Sequence, residues 1–243
     1  MVDIKTDKLT KKYQNLTAVD SLELSIEHGE LFSLLGVNGA GKSTTIKMLT
    51  CLSKPTSGNA FILGESILTN PFFVKDNIGV SPQETAVAAN LTVRENLEFI
   101  AGIHGSSNGL SKEKAVQMIK KFHFAKYENI RSKNLSGGWQ RRLSIAMALI
   151  SEPKILFLDE PTLGLDVLAR RELWEVIRDL KTSTTIILTT HYLEEAQALS
   201  DRIGIMSSGK LTVAGTVEEI IKKSGKNNFE DAFITLAGEE DYQ

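Results

Sequence analysis

The segment Gly36-Val-Asn-Gly-Ala-Gly-Lys-Ser43 constrains the fold of this chain more than any other stretch, because two glycines five positions apart stand directly before Lys42 and Ser43. A strand-sized apolar run, Leu31-Phe-Ser-Leu-Leu35, leads into it, and a helical pattern from Thr44 to Leu52 leads out. Glycines let the backbone of Gly36, Val37, Asn38, Gly39, Ala40 and Gly41 turn its N–H groups around phosphate oxygens, and the helix N-terminus at Thr44 adds a partial positive charge. Lys42 is then the counter-charge to the outer phosphates, and the Ser43 hydroxyl is a ligand for Mg²⁺. A loop that merely turned the chain would not explain Lys and Ser directly after the last glycine.

A second half-site ends the run Ile155-Leu-Phe-Leu-Asp159, where adjacent carboxylates, Asp159 and Glu160, precede Pro161. Proline disfavours an α conformation in the residue before it, so Glu160 is expected to be extended, with the two acidic side chains pointing in opposite directions. Asp159 is then able to hold Mg²⁺ through a water, while Glu160 polarises the water that attacks a γ-phosphate. Taken alone an Asp-Glu pair is commonly a solvated strand end; the phosphate loop elsewhere in the chain favours the chemical role.

The rest of the chain divides by periodicity. Before residue 36, stretches such as Ala18-Val-Asp-Ser-Leu-Glu-Leu-Ser-Ile26 alternate apolar and polar residues and read as β-rich. From about residue 91 the spacing becomes helical, over 91–99 and 113–122, with a Gly/Ser break at Gly105-Ser-Ser-Asn-Gly109. Beyond 154, strand-like runs (154–158, 184–190, 202–206) alternate with helical ones (167–180, 192–199, 216–223), the pattern of a parallel α/β sheet. The helical middle therefore looks inserted into an α/β core. The tail after Asn228 is a short amphipathic segment, Phe229 to Leu236, whose packing partner the sequence does not identify.

Several classes are excluded. With 28 Lys plus Arg against 30 Asp plus Glu, the net charge of −2 provides no global attraction to nucleic acid, and no nucleic-acid partner is expected. Cys51 is the single cysteine, so there is no intrachain disulfide; a buried core thiol in a reducing setting is expected. No apolar run approaches the roughly 18 residues of a membrane helix, and the N-terminus lacks the apolar stretch of a secretory signal. A cytosolic chain that does not span a membrane is the expectation.

Taken in order, these motifs resemble the nucleotide-binding subunit of ATP-binding cassette (ABC) transporters over nearly the whole chain. Leu135-Ser-Gly-Gly138 is similar to the family's signature loop, and Ser136 with the Gly137 and Gly138 amides precedes a helical stretch suited to an anion. The fifth signature position is usually Gln; here it is Trp139, with Gln140 next, and Trp139 has either the subunit interface or the subdomain interior open to it. Gln83 resembles the Mg²⁺- and water-contacting glutamine, His191 the switch histidine that contacts the γ-phosphate, and Tyr13 the aromatic that stacks on adenine, with Val19 lining the same pocket. Leu163-Gly-Leu-Asp166 is similar to the loop that crosses between subunits, and Asp166 also suits a helix N-cap.

The resemblance implies an α/β fold: a P-loop NTPase core with an N-terminal antiparallel β subdomain and an inserted α-helical subdomain. The expected division is one ATPase domain over 1–228, with core and β subdomain at 1–84 and 151–228, the helical subdomain at 85–150, and a tail at 229–243. It implies ATP and Mg²⁺ as cofactors, and catalytic roles for Glu160, His191, Lys42 and Gln83. It also implies a homodimer that sandwiches ATP, and a separate transmembrane permease on the cytoplasmic face of the membrane. Thr190-His-Tyr-Leu-Glu-Glu-Ala196 and Phe229-Glu-Asp-Ala-Phe233 resemble the subgroup serving drug and antibiotic exporters. The competing expectation is a non-transport ABC ATPase acting as a soluble nucleotide-gated switch.

Overall fold

The computed structural model describes residues 1–181 and 184–238. The chain opens with β1 (Val2–Tyr13), β2 (Leu16–Leu22) and β3 (Ser25–Glu27), both of the latter pairing antiparallel with β1. β4 (Leu31–Leu35) leaves this sheet; buried at every position, it runs through the glycine loop into α1 (Lys42–Leu49). The chain then returns for β5 (Ser57–Ile62) and β6 (Glu65–Ser66), completing an antiparallel sheet of order β2-β1-β5-β6. α2 (Pro71–Asn77) leads into β7 (Ile78–Ser81).

The middle of the chain is helical: α3 (Val93–Ile103), α4 (Asn108–Lys121) and α5 (Gly137–Leu149). α3 is started by a capping box, in which Thr92 and Glu95 satisfy each other's backbone N–H groups. The alternation expected beyond residue 154 follows as β8 (Ile155–Asp159), α6 (Val167–Leu180), β9 (Thr185–Thr190), α7 (Leu193–Leu199) and β10 (Arg202–Ser207). A hairpin to β11 (Lys210–Gly215) precedes α8 (Val217–Ser224) and α9 (Phe229–Ala237).

The second sheet has the order β11-β10-β4-β9-β8-β7, parallel from β10 to β7. Its central strands β4, β8 and β9 are buried on both faces, and their side chains alternate between two cores. Leu31, Leu156, Leu158, Ile186 and Leu188 face the helical region, packing with Val93, Leu97, Phe122, Phe124 and Leu143. Phe32, Leu34, Phe157 and Ile187 face the other way, toward α1 and the antiparallel sheet, and meet Ile4, Ile26, Ile46 and Ile62. The parallel layer is thus held between unlike neighbours. Because β4, β8 and β9 are adjacent and parallel, their carboxyl ends bring Leu35 opposite Thr190 and Asp159 opposite Thr189. That edge is where ligands bind in open α/β sheets.

Several boundaries differ from the sequence expectation. α1 begins at Lys42 rather than Thr44 and stops at Leu49, where Cys51 enters a left-handed conformation (φ 57°) that ends the helix. Cys51 is half-buried rather than buried. α4 begins at Asn108 with Ser107 as its N-cap, so Gly109 lies in the first helical turn instead of the break. The tail has a packing partner: Phe229 and Phe233 of α9 meet Ile203, Ile205, Val213 and Ile220 in a third cluster. Residues 239–243 of the expected tail lie outside the described residues. Among the described residues no helix is long and apolar enough to cross a membrane.

Candidate active site

A cleft of about 810 Å³ opens at the carboxyl edge of the parallel sheet, lined by the glycine loop from Val37 to Thr44 together with Tyr13, Gln83, Glu160 and His191. The loop's outer glycines are required by space as well as by conformation. A Cβ on Gly36 would come within 2.5 Å of the Met206 carbonyl, and one on Gly41 (φ 101°) within 2.4 Å of the Ala18 carbonyl. Gly41 is the N-cap of α1, no side chain caps that helix, and its first turn carries no acidic residue. The amides there keep their partial positive charge available for an anion.

Lys42 lies along the loop. Its Nζ donates to the carbonyls of Gly36 (2.7 Å) and Val37 (3.1 Å) and stands 3.4 Å from Glu160 Oε1. Burial pushes its pKa below the usual lysine value, while the Glu160 and Asp159 carboxylates push back. Ser43 Oγ donates to Asp159 Oδ1 at 3.0 Å, joining the two halves expected from sequence.

The acidic strand end departs from its expected conformation. Glu160 is not extended but left-handed, with φ 46°. For a residue with a Cβ this costs about 1–2 kcal/mol, so the surroundings must over-determine it. They do. Glu160 N–H donates to Thr189 O (3.1 Å) and Thr189 Oγ1 (3.0 Å), and its carbonyl accepts from Arg141 Nη2 (2.8 Å). These tertiary hydrogen bonds outweigh the local preference exerted by Pro161. The expected opposite facing of the two acids does not occur either: the turn brings Glu160 Oε1 to Lys42 and Oε2 to 3.3 Å from His191 Nδ1, while Asp159 keeps to Ser43 and Thr189. Both carboxylates address the phosphate loop.

Val19 is corrected. It is fully buried, absent from the cleft lining, and packs beneath Gly41 within the core. Tyr13 does line the cleft, half-exposed, with Lys11 Nζ 5.0 Å from its ring centre. Ser136 and Gly138 line a separate, smaller cleft with Trp139, Arg142 and Glu172, so the signature residues and the loop of one chain do not share a pocket. Ser136 is the N-cap of α5, and Gly137 and Gly138 form its first turn. Of the two places open to Trp139, the structure has it packed within the subdomain: half-buried, its ring lies tilted 4.4 Å from Tyr127 and 5.5 Å from Phe124, under the Arg142 guanidinium. Asp166 caps α6, accepting from Leu168 and Ala169 N–H.

Three further residues serve the site without having been singled out in the sequence. Thr189 binds both members of the acidic pair. Arg141, buried on α5, donates to main-chain carbonyls at the ends of the neighbouring strands β7 and β8. Glu195, fully buried on α7, lies beside Thr162, Thr190 and Trp174, and burial raises its pKa. A signal for Arg141 existed: two arginines stand in an otherwise apolar helix, and a buried charge needs partners.

A parallel α/β core covered on both faces, with a phosphate loop, an acidic strand end and a histidine on one sheet edge, defines a P-loop nucleotide-binding protein. The ABC transporter family model matches residues 19–163, and the chain belongs to that family. It is 40% identical to the daunorubicin/doxorubicin resistance ATP-binding protein DrrA of Streptomyces peucetius, over 92% of this chain and 68% of DrrA. Identity to the probable multidrug ABC transporter ATP-binding protein YbhF of Escherichia coli is 38%, over 96% of this chain but only 41% of that protein. Among solved structures, an ATP-binding subunit of an ABC transporter matches at TM-score 0.85 and 26% identity, over 97% of this chain and 99% of the other. The dimeric ATP-binding cassette MJ0796, in a post-hydrolysis state bound to ADP and Pi, matches at TM-score 0.79 and 26% identity, over 88% and 98%. The chain is an ABC ATPase that binds ATP.

Proposed function

We propose that this ATPase powers an exporter, of the drug- and antibiotic-exporting kind named for DrrA and YbhF, through ATP-driven closure of a homodimer. Glu160 is the base that polarises the attacking water, Lys42 and the α1 N-terminus bind the β- and γ-phosphates, and His191 contacts the γ-phosphate. Gln83 reports on the water, and Tyr13 stacks on the base. One observation carries this reading: a left-handed backbone turns Glu160 onto Lys42 and His191 at the mouth of the loop.

The donor set fits a hard divalent cation. The Ser43 hydroxyl meets the Asp159 carboxylate, and Gln83 lines the same cleft. Among the described residues no group of three or more His, Cys, Asp or Glu could hold a metal, so phosphate oxygens would complete the coordination of Mg²⁺. Bound there, Mg²⁺ would neutralise charge on the β- and γ-oxygens.

Ser136 and Gly138, in their separate cleft, are free to face the nucleotide of a second copy, and two-fold symmetry makes both composite sites at once. MJ0796 dimerises, which supports this assembly. We assign residues 85–150 to a helical lobe and its surface to a transmembrane permease. A groove of about 430 Å³ lined by Pro82, Ala86 and Ile100, on a helix that also exposes Phe99 and Ile103, supports that contact. The chain would then act at the cytoplasmic face of the membrane.

Glu160→Gln tests the reading. It keeps the side chain's shape and removes the base, so ATP hydrolysis should fall by about 10²–10⁴-fold while ATP binding persists. The variant should also accumulate an ATP-bound dimer on size-exclusion chromatography. Hydrolysis at the wild-type rate would reject Glu160 as the base, and a variant that stays monomeric with ATP would reject the sandwich.

A further inference from the structure

Arg141 is 4% exposed, and its guanidinium serves main-chain carbonyls drawn from two distant segments. Nη1 donates to Pro82 and Gln83 (3.1 Å), just beyond β7; Nη2 donates to Asp159 (2.6 Å) and Glu160 (2.8 Å), and Nε to Pro161 (2.8 Å), just beyond β8. Every acceptor is backbone, so the contact sets chain geometry rather than pairing a charge. Burial draws the Arg141 pKa down to about 10, against the attraction of Asp159, Glu195 and Glu160. A charge kept at that expense, with its planar fork filled by carbonyls from the ends of the two neighbouring strands β7 and β8, implies a task beyond packing.

We propose that Arg141 is a positioning residue for hydrolysis: it holds the Glu160 main chain in its left-handed turn and ties that turn to the Gln83 loop and to the helix that begins at Ser136. This rests on Glu160 being the base. The Glu160 carbonyl accepts from Arg141 Nη2 (2.8 Å) and, more weakly, from Leu163 N–H (3.2 Å) within the same turn, so Arg141 is its donor from outside the turn, and Pro161 by itself favours an extended residue 160. Without the guanidinium the backbone relaxes and the carboxylate leaves its place between Lys42 and His191. Lysine is no substitute, because its ammonium is a point charge without the planar array of donors. Since α5 starts at the signature residues, displacement of that end is also transmitted to the carbonyl of Glu160.

The test compares the purified full chain with Arg141→Lys, Arg141→Gln and Glu160→Gln. Arg141→Gln should lower kcat by about 10²-fold and Arg141→Lys by at least tenfold, on the scale of a displaced general base. KM and the equilibrium affinity for a fluorescent ATP analogue should stay within about threefold, since Lys42 and Ser43 are untouched. Arg141→Gln should accumulate the ATP-bound dimer as Glu160→Gln does, and combining the two should be no slower than Glu160→Gln alone, because both act through one carboxylate. Wild-type kcat in Arg141→Lys, or parallel losses of kcat and nucleotide affinity, would overturn the proposal. Should Arg141→Gln fail to fold, Arg141→Lys decides it by the same kcat-against-KM split. Wild-type hydrolysis by Glu160→Gln would instead overturn the base assignment, and this proposal with it.

Discussion

The phosphate loop and the acidic strand end lie on the same sheet edge and are built by opposite means. Gly36 to Ser43 carries its requirements in its own residue types: glycines where the neighbouring Met206 and Ala18 carbonyls leave no room for a Cβ, and a lysine folded back onto loop carbonyls. Asp159 and Glu160 have no such autonomy. They are held by Thr189 on β9, Arg141 on α5 and Lys42 on α1, three elements far apart in sequence. Binding is therefore locally encoded, whereas the hydrolytic geometry depends on the assembled core.

The largest expected effect attacks the autonomous half. Lys42→Ala removes the loop's cation, and a single charge pair at 4 Å with an effective dielectric of 20 is worth about 4 kcal/mol, or about 10³-fold in affinity. Titration with a fluorescent ATP analogue should show binding lost on that scale, and hydrolysis lost with it. Undiminished turnover would contradict the loop's role altogether. The contrast becomes sharper with Thr189→Val, which deletes the hydroxyl bonded to both Asp159 and Glu160 N–H. Here kcat should fall about tenfold with nucleotide affinity within about threefold, and stability should drop by about 1–3 kcal/mol for the unsatisfied groups. Equal losses in kcat and affinity would mean that the two halves are not separable.

The same division governs how much could be read from sequence. Loop, strand end and their order were legible because each is a local pattern: glycine spacing, a strand-sized apolar run, adjacent carboxylates. The parallel alternation beyond residue 154 was legible for the same reason. Glu160 was not, because the rule for a residue before proline describes near neighbours, and here distant donors overrule it. Val19 was assigned to the adenine pocket by resemblance, but on β2 it packs inward beneath Gly41. Trp139 left two places open until Phe124 and Tyr127, which pack against it, were in view. The partners of α9 lie on β10, β11 and α8, and no local period names them.

The smallest effect concerns Glu195, part of the remote scaffold behind the acidic end, with Trp174 Nε1 donating to it at 3.0 Å. Burial raises its pKa above the ordinary carboxylate value, against the neighbouring Thr190, Thr162 and Trp174 side chains and the Arg170 charge, which lower it. The folded chain therefore holds this proton more tightly than the unfolded chain does. Its contribution to stability is fully present below the unfolded pKa and is lost as pH rises through the raised folded value. Glu195→Gln cannot titrate, so subtracting its melting temperature from that of the wild type isolates this group from all others. The difference should move in favour of the wild type as pH falls from 8 to 5, by about 2–4 °C for each kcal/mol in a chain of this size. A difference that does not change with pH would return Glu195 to ordinary carboxylate behaviour.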